Sequence, residues 1–144
     1  MTVREILRRK RTGVVTVGPE TAVHEAMRVL VRHNIGALVV MTEGTIEGIL
    51  TERDLLRAGA ENPQRLLDAV VKDLMTSKVI TAPEDVDLVD VMRLMSERRI
   101  RHLPITVGGE LCGMISIGDV VESLRQSTEA ENRYLHAYIT GTPL

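Results

Sequence analysis

The heptads G-I-L-T-E-R-D (48–54) and G-M-I-S-I-G-D (113–119) each place a hydroxyl and, three residues on, a carboxylate, 65 residues apart in the chain. Two chemistries suit that spacing. The plain one is a helix start, in which Thr51 or Ser116 accepts from the third backbone N–H and the carboxylate returns to the cap. Glu or Gln is usual at that position, and Asp54 and Asp119 are one carbon short for the return bond. The other chemistry is ligand binding. A helix N-terminus offers unpaired N–H groups and partial positive charge suited to phosphate, and the hydroxyl adds a donor. A carboxylate one turn later can accept from both hydroxyls of a ribose diol, each bond contributing about 1.5–3 kcal/mol. Gly48 and Gly113 are expected to leave room for a ligand beside the strand end. Capping and binding can coexist.

The walls of such a site have to be aliphatic. Of 144 residues, 44% are apolar, but Phe and Trp are absent and the only aromatics are Tyr134 and Tyr138. No stacking platform for single-stranded nucleic acid is available, and a net charge of −2 supplies none of the electrostatic attraction that nucleic acid needs. Cys112 is the only cysteine, which rules out an intrachain disulfide and cysteine-based zinc spacing. The N-terminal MTVREILRRKRTG is basic but lacks the apolar core of a secretory signal, and no apolar run reaches the ~20 residues that span a bilayer. A cytoplasmic protein is expected.

The elements that position the heptads are themselves repeated. Residues 14–56 slide onto 79–121 without a gap and share Val14, Thr16, Met27, Arg28, Ile35, Leu38, Gly44, Gly48 and Asp54. V-R-E-I-L (3–7) matches V-K-D-L-M (71–75) at an offset of 68, so three extra residues fall in the KRTG region. In each copy the pattern predicts a short strand (13–17 and 78–81) and a loop holding Pro19 or Pro83. Next comes an amphipathic helix, carrying Val23, Met27, Leu30 and Val31 or Leu88, Val91, Met92 and Met95. A buried strand (36–41 and 102–106), a hairpin turn (42–45 and 107–110) and a return strand follow, and the next helix starts at Glu52 or Ile117. The fold class is therefore α/β (α+β): two β-α-β-β-α repeats related by a pseudo-twofold axis, plus a C-terminal helix. The expected divisions are repeat one (1–60), a linker (61–70), repeat two (71–126) and a tail (127–144). The tail reads as a helix stopped at Gly141 and Pro143, with Leu135, Tyr138 and Ile139 on one face.

The repeated unit with G-h-h-[ST]-x-x-D, and RIRHLPIT…GGELCGMISIGDVV in particular, resembles a tandem pair of CBS (cystathionine-β-synthase) domains over about residues 1–126. It is similar to small stand-alone bacterial CBS-pair proteins, some of which share a tail like HAYITGTP. The resemblance implies a regulatory module without catalytic residues or a catalytic cofactor. Such pairs bind AMP, ADP, ATP, and sometimes S-adenosylmethionine or NAD(H), in two clefts between the halves. By position, one implied nucleotide site combines Thr51, Arg53 and Asp54 with Thr76, Lys78 and Ile80. The other combines Ser116 and Asp119 with Thr12, Gly13, Val15 and Ile35. Arg101 and His102, opposed by Gly36 and Ala37 in the first repeat, are implied to reach the phosphates. The family also implies a homodimer and a regulated partner protein. Arg53 and Gly118 stand where relatives often have a second Ser or Thr, and the second repeat is the more basic, so unlike sites are expected. The rival expectations are an enzyme, such as a nucleotide hydrolase, and a ligand-free scaffold in which both motifs only cap helices.

Four scattered histidines, His24, His33, His102 and His136, form no metal-binding spacing. Cys112 is expected to be a packed thiol. Met27, Met92, Met95 and Met114 are expected in the core, and Arg8 to Arg11 on a solvated helix end.

Overall fold

The computed structural model describes residues 1–10 and 13–141. Arg11 and Thr12, and Pro143 of the expected tail stop, lie outside them. The elements run α1 (Val3–Lys10), β1 (Thr16–Val17), α2 (Val23–His33), β2 (Ala37–Thr42), β3 (Thr45–Thr51), α3 (Glu52–Glu61), α4 (Arg65–Asp68) and α5 (Val71–Leu74). They continue with β4 (Ala82–Pro83), α6 (Leu88–Arg98), β5 (His102–Val107), β6 (Glu110–Ser116) and α7 (Ile117–Thr140). Two three-stranded sheets result, ordered β1-β2-β3 and β4-β5-β6. The mixed α/β class and the doubled element order are those read from the sequence.

The repeat extends to strand register. Val17 pairs in parallel with Val40, and Ala82 pairs in parallel with Ile105, the same two positions of each copy. The hairpin turns repeat as well: Glu43 and Gly44 have φ of 47° and 81°, and Gly108 and Gly109 have 59° and 84°. Two successive positive φ values match the strand twist of a two-residue hairpin. Glu43 adopts that backbone without being glycine. Each amphipathic helix ends in a left-handed residue, Asn34 or Arg99, whose N–H returns to the last turn.

The chain divides into two compact units. One holds the described residues within 12–83 and 104–114. Its core joins Val23, Ala26 and Leu30 of α2, Leu38 and Val40 of β2, Leu50 of β3, Leu55 of α3 and Val71 of α5. The other holds those within 1–11, 84–103 and 115–144. It buries Val3 and Ile6 of α1, Leu88, Val91 and Met95 of α6, and Leu103, Ile115 and Val120.

In each unit a short helix from one repeat docks on the other repeat. The N–H groups of Val71 and Lys72 donate to the Thr21 and Pro19 carbonyls, and Val23 N–H donates to Ala69. The same three bonds recur as Val3 to Val86, Arg4 to Glu84 and Leu88 to Met1. An ion pair fastens each dock, Lys72–Glu20 at 2.6 Å and Arg4–Glu84 at 3.0 Å.

Several expectations are corrected. The run 78–81 is not a strand. The pairing segment is Ala82–Pro83, so Pro83 lies in it, and a Val79 N–H to Ser77 carbonyl turn precedes it. Only Thr16–Val17 of the run 13–17 pairs, because a β-branched run becomes a strand only where a neighbour accepts its backbone bonds. The expected linker 61–70 is not free of regular structure: α3 ends at Glu61 and α4 (Arg65–Asp68) lies within it. Val31 is 81% exposed and Met92 38%, so they lie off the buried faces of α2 and α6.

The last two helical segments are one. Helix α7 runs unbroken for 24 residues, with Arg125 paired to Glu122 and Glu129 one turn away on either side. Pairs at that spacing support an otherwise exposed helix by about 0.2–0.5 kcal/mol each. Gly141, at φ 67°, ends it as expected, and Tyr134, Leu135, Tyr138 and Ile139 are all exposed. Among the described residues, no helix is long and apolar enough to cross a membrane.

Candidate functional site

Both hydroxyl–carboxylate motifs sit where a sheet strand turns into a helix. Thr51 closes β3 in extended conformation and caps α3; Ser116 closes β6 and caps α7. The Asp54 N–H donates to Thr51 Oγ1 at 3.3 Å, and the Thr51 N–H returns to Asp54 Oδ2 at 2.9 Å. The counterparts are Asp119 N–H to Ser116 Oγ at 3.2 Å and Ser116 N–H to Asp119 Oδ2 at 2.9 Å. The expectation that Asp is too short for the return bond is therefore wrong. The extended cap brings its N–H within reach of the shorter side chain, and both capping boxes close.

The next N–H of each helix is tied in the same way. Glu52 N–H donates to the Gly36 carbonyl at 3.0 Å, and Ile117 N–H donates to the Arg101 carbonyl at 2.8 Å. The residue before each buried strand thus lies at the helix start of its own repeat. This holds Gly36 beside Thr51 and Asp54, and Arg101 beside Ser116 and Asp119.

The two carboxylates differ in what else they touch. Asp54 Oδ1 accepts from the Thr76 hydroxyl at 3.3 Å, and Thr51 Oγ1 lies 3.1 Å from Asp54 Oδ2. Thr76 is held there by a two-way backbone bridge to Ile49, Ile49 N–H to Thr76 O at 3.0 Å and Thr76 N–H to Ile49 O at 2.9 Å. Asp119 Oδ2 instead meets the Lys10 ammonium at 2.8 Å. Half-burial works against ionisation of Asp119, but the Lys10 ammonium and the Ser116 N–H outweigh it and hold the carboxyl below its ordinary value. Lys10 is thus more than a solvated helix end, and Arg9 of the same turn reaches Gln126 of α7 at 3.3 Å.

Gly48 does not leave room for a ligand. A Cβ there would stand 2.5 Å from Met75 Sδ and 2.9 Å from the Thr76 carbonyl, so this glycine lets the 75–76 segment approach β3. It serves the site indirectly, by admitting the segment that carries Thr76.

The repeat carrying these motifs decides the family. The CBS domain family model matches residues 3–61 and again 71–126. The chain belongs to the CBS domain family. It is 37% identical over 127 residues to the mitochondrial CBS domain-containing protein CBSX3 of Arabidopsis thaliana, with 85% of this chain covered; it spans 62% of that relative's length. Among solved structures it resembles the CBS-domain protein ATU1752 of Agrobacterium tumefaciens, at 40% identity and a TM-score of 0.82, covering 85% of this chain and 98% of that one. It also resembles CBSX2 in complex with AMP, at 28% identity and a TM-score of 0.72, covering 87% and 97%.

Within this CBS pair, Thr51, Asp54 and Thr76 are in direct contact. Arg53 and Lys78 are exposed near them in the chain, and Ile80 is half-buried. Ser116 and Asp119 are joined by Arg101, with half-buried His102 the next residue. Val15 and Ile35, expected with the second motif, pack against the core built on Val23, Leu38 and Leu50. A Cβ at Gly13 would meet nothing within 4 Å. Thr12 lies outside the described residues.

The residue that sequence reasoning undervalued is Lys10. The offset of 68 that matches 3–7 with 71–75 also sets Lys10 opposite Lys78, which was already a candidate; continuing that offset was the available signal. Cys112, expected to be packed, is exposed, because it lies on the outward face of β6. Met95 is buried as expected, whereas Met27 and Met114 are only partly so. Among the described residues, no group of three or more His, Cys, Asp or Glu could hold a metal ion.

Proposed function

We propose that this CBS pair is a sensor of adenine nucleotides, AMP, ADP or ATP or else NAD(H), which passes its ligand state to a partner protein without catalysing a reaction. The observation that carries this reading is the duplicated helix start: a hydroxyl, the partial positive charge of a helix N-terminus and a carboxylate one turn in, built twice with matching bonds. The CBSX2 complex with AMP, a relative of the same fold, supports the ligand class. In the first site Thr51 takes phosphate and Asp54 takes the ribose, with Thr76, Arg53, Lys78 and Ile80 around them and Gly36 at the helix start. In the second, Ser116 and Asp119 play those parts, and Arg101 and His102 add positive charge.

On this reading the working unit is the pair of repeats, 1–60 and 71–126, and the linker 61–70 and tail 127–144 serve it. A cytoplasmic homodimer is the form we expect, with the exposed stripe of Leu135, Tyr138 and Ile139 as its contact or that of the regulated protein. Regulation requires that the nucleotide bind two conformations unequally, since equal affinity shifts no population.

A second reading has its own observation. Both capping boxes are complete, so each hydroxyl and carboxylate already has a structural task, as a ligand-free scaffold requires. Equilibrium dialysis of the whole chain against AMP, ADP, ATP, NAD⁺ and NADH separates the cases. The sensor retains at least one nucleotide and returns it chemically unchanged. Conversion of the ligand would make the protein an enzyme, and retention of none would leave the scaffold.

A further inference from the structure

We infer that Lys10 is the specificity-determining residue of the second site, selecting phosphorylated nucleosides over neutral ones. This rests on the sensor reading above and adds a regulatory element to it. The ammonium at the last turn of α1 lies 2.8 Å from Asp119 Oδ2, the same oxygen that accepts the Ser116 N–H. Both side chains are partly withdrawn from solvent, Lys10 at 32% exposure and Asp119 at 24%. A ribose diol arriving at Asp119 therefore competes with a cation that is already seated.

The chemistry of the ligand decides that competition. A neutral nucleoside that draws the carboxylate toward its hydroxyls weakens the Lys10–Asp119 pair and brings no anion in exchange. A nucleotide brings its own anion to the helix start, one turn from Asp119, where Lys10 can turn to a phosphate oxygen. The ammonium stays neutralised and the carboxylate is released to the ribose. Asp54 stands in contrast. Its partners are Thr51 and Thr76, and among the described residues no cationic side chain pairs with it, so the first site carries no such filter.

The pair also gives ligand arrival a mechanical consequence. The start of α1 is fixed by backbone bonds from Val3 and Arg4 to 84–86, while its last turn holds α7 through Arg9–Gln126 and Lys10–Asp119. Drawing Lys10 from Asp119 loosens the second attachment and leaves the first, so occupancy of this site is read as freedom of the end of α1.

The test compares AMP with adenosine by titration calorimetry on the whole chain carrying Asp54→Ala, which silences the first site. The expected result is AMP binding about tenfold or more tighter than adenosine, the size of one charge-assisted hydrogen bond. Adding Lys10→Met should bring the two ligands to within about threefold, part of the change being tighter adenosine binding, and Lys10→Arg should keep the discrimination. The ratio is taken on one protein at a time, so a general loss of stability does not alter it. AMP binding with the same ratio in Lys10→Met overturns the role of Lys10 and leaves the sensor reading standing. No binding of AMP or any other adenine nucleotide to the wild-type chain overturns both.

Discussion

Asp54 and Asp119 occupy the same position of the repeat, each closing a capping box at 2.9 Å, yet they are completed by different means. Asp54 takes a hydroxyl from Thr76, a residue delivered by a backbone bridge that Gly48 makes possible. Asp119 takes an ammonium from Lys10, delivered by the last turn of a docked helix. In both copies the extra partner comes from or just after the short helix that opens the other repeat. Duplication kept the backbone arrangement and let the side chains diverge. A motif that looks symmetrical in sequence thus becomes one carboxylate held by hydroxyls and one held by an ammonium, and on the proposed sensor reading unlike ligand preferences follow.

The comparison can be pressed hardest where the copies are most alike. Leu38 and Leu103 are both fully buried at equivalent positions. Leu38→Ala and Leu103→Ala should each cost about 2–5 kcal/mol in urea unfolding, and the two should agree within the scatter of such sites. If one were nearly silent, the two halves would not be built on the same packing.

At the motifs the same substitution should separate the copies. Asp54→Ala removes the return bond of the capping box and the Thr76 bond, and is expected to cost about 0.5–2 kcal/mol. Asp119→Ala removes the same return bond and also the Lys10–Asp119 ion pair, which adds up to about 1 kcal/mol for a partly exposed pair. Equal losses would show that the Lys10 contact contributes no more than the Thr76 bond to Asp54.

The build of each repeat was largely legible in the sequence. The gapless offset from 14–56 to 79–121, the Gly-bearing turns and the S/T-x-x-D helix starts are local patterns, and local patterns determine local structure. What could not be read is who docks on whom. V-R-E-I-L and V-K-D-L-M were visibly copies, but nothing in their spacing says that each lies on the opposite repeat. The Lys10–Asp119 contact spans more than a hundred residues and depends on that docking. The exposure of Val31 and Met92 was hidden for a related reason, since an apolar stripe wider than its partner leaves its margin in water.

The smallest expected effect is a pH dependence confined to the second motif. The Asp119 carboxyl is held below its unfolded value, so its contribution is fully present above that value, about 3.9 for aspartate, and is lost as pH falls through the folded one. The stability gap between wild type and Asp119→Asn should therefore be constant near neutrality and shrink below about pH 4. A gap that does not move with acid would mean that Asp119 gains nothing from Lys10.

The central claim is that the two helix starts bind adenine nucleotides, and thermal unfolding of the wild type, Asp54→Ala and Asp119→Ala with AMP, ADP, ATP, NAD⁺, NADH and S-adenosylmethionine tests it most directly. A ligand at about 100 times its dissociation constant should stabilise the wild type by about 2.7 kcal/mol. The account predicts such a shift for at least one of these ligands, reduced or abolished in one aspartate variant and unequal between the two. No shift in the wild type with any of the six, or a shift untouched by both substitutions, would contradict it.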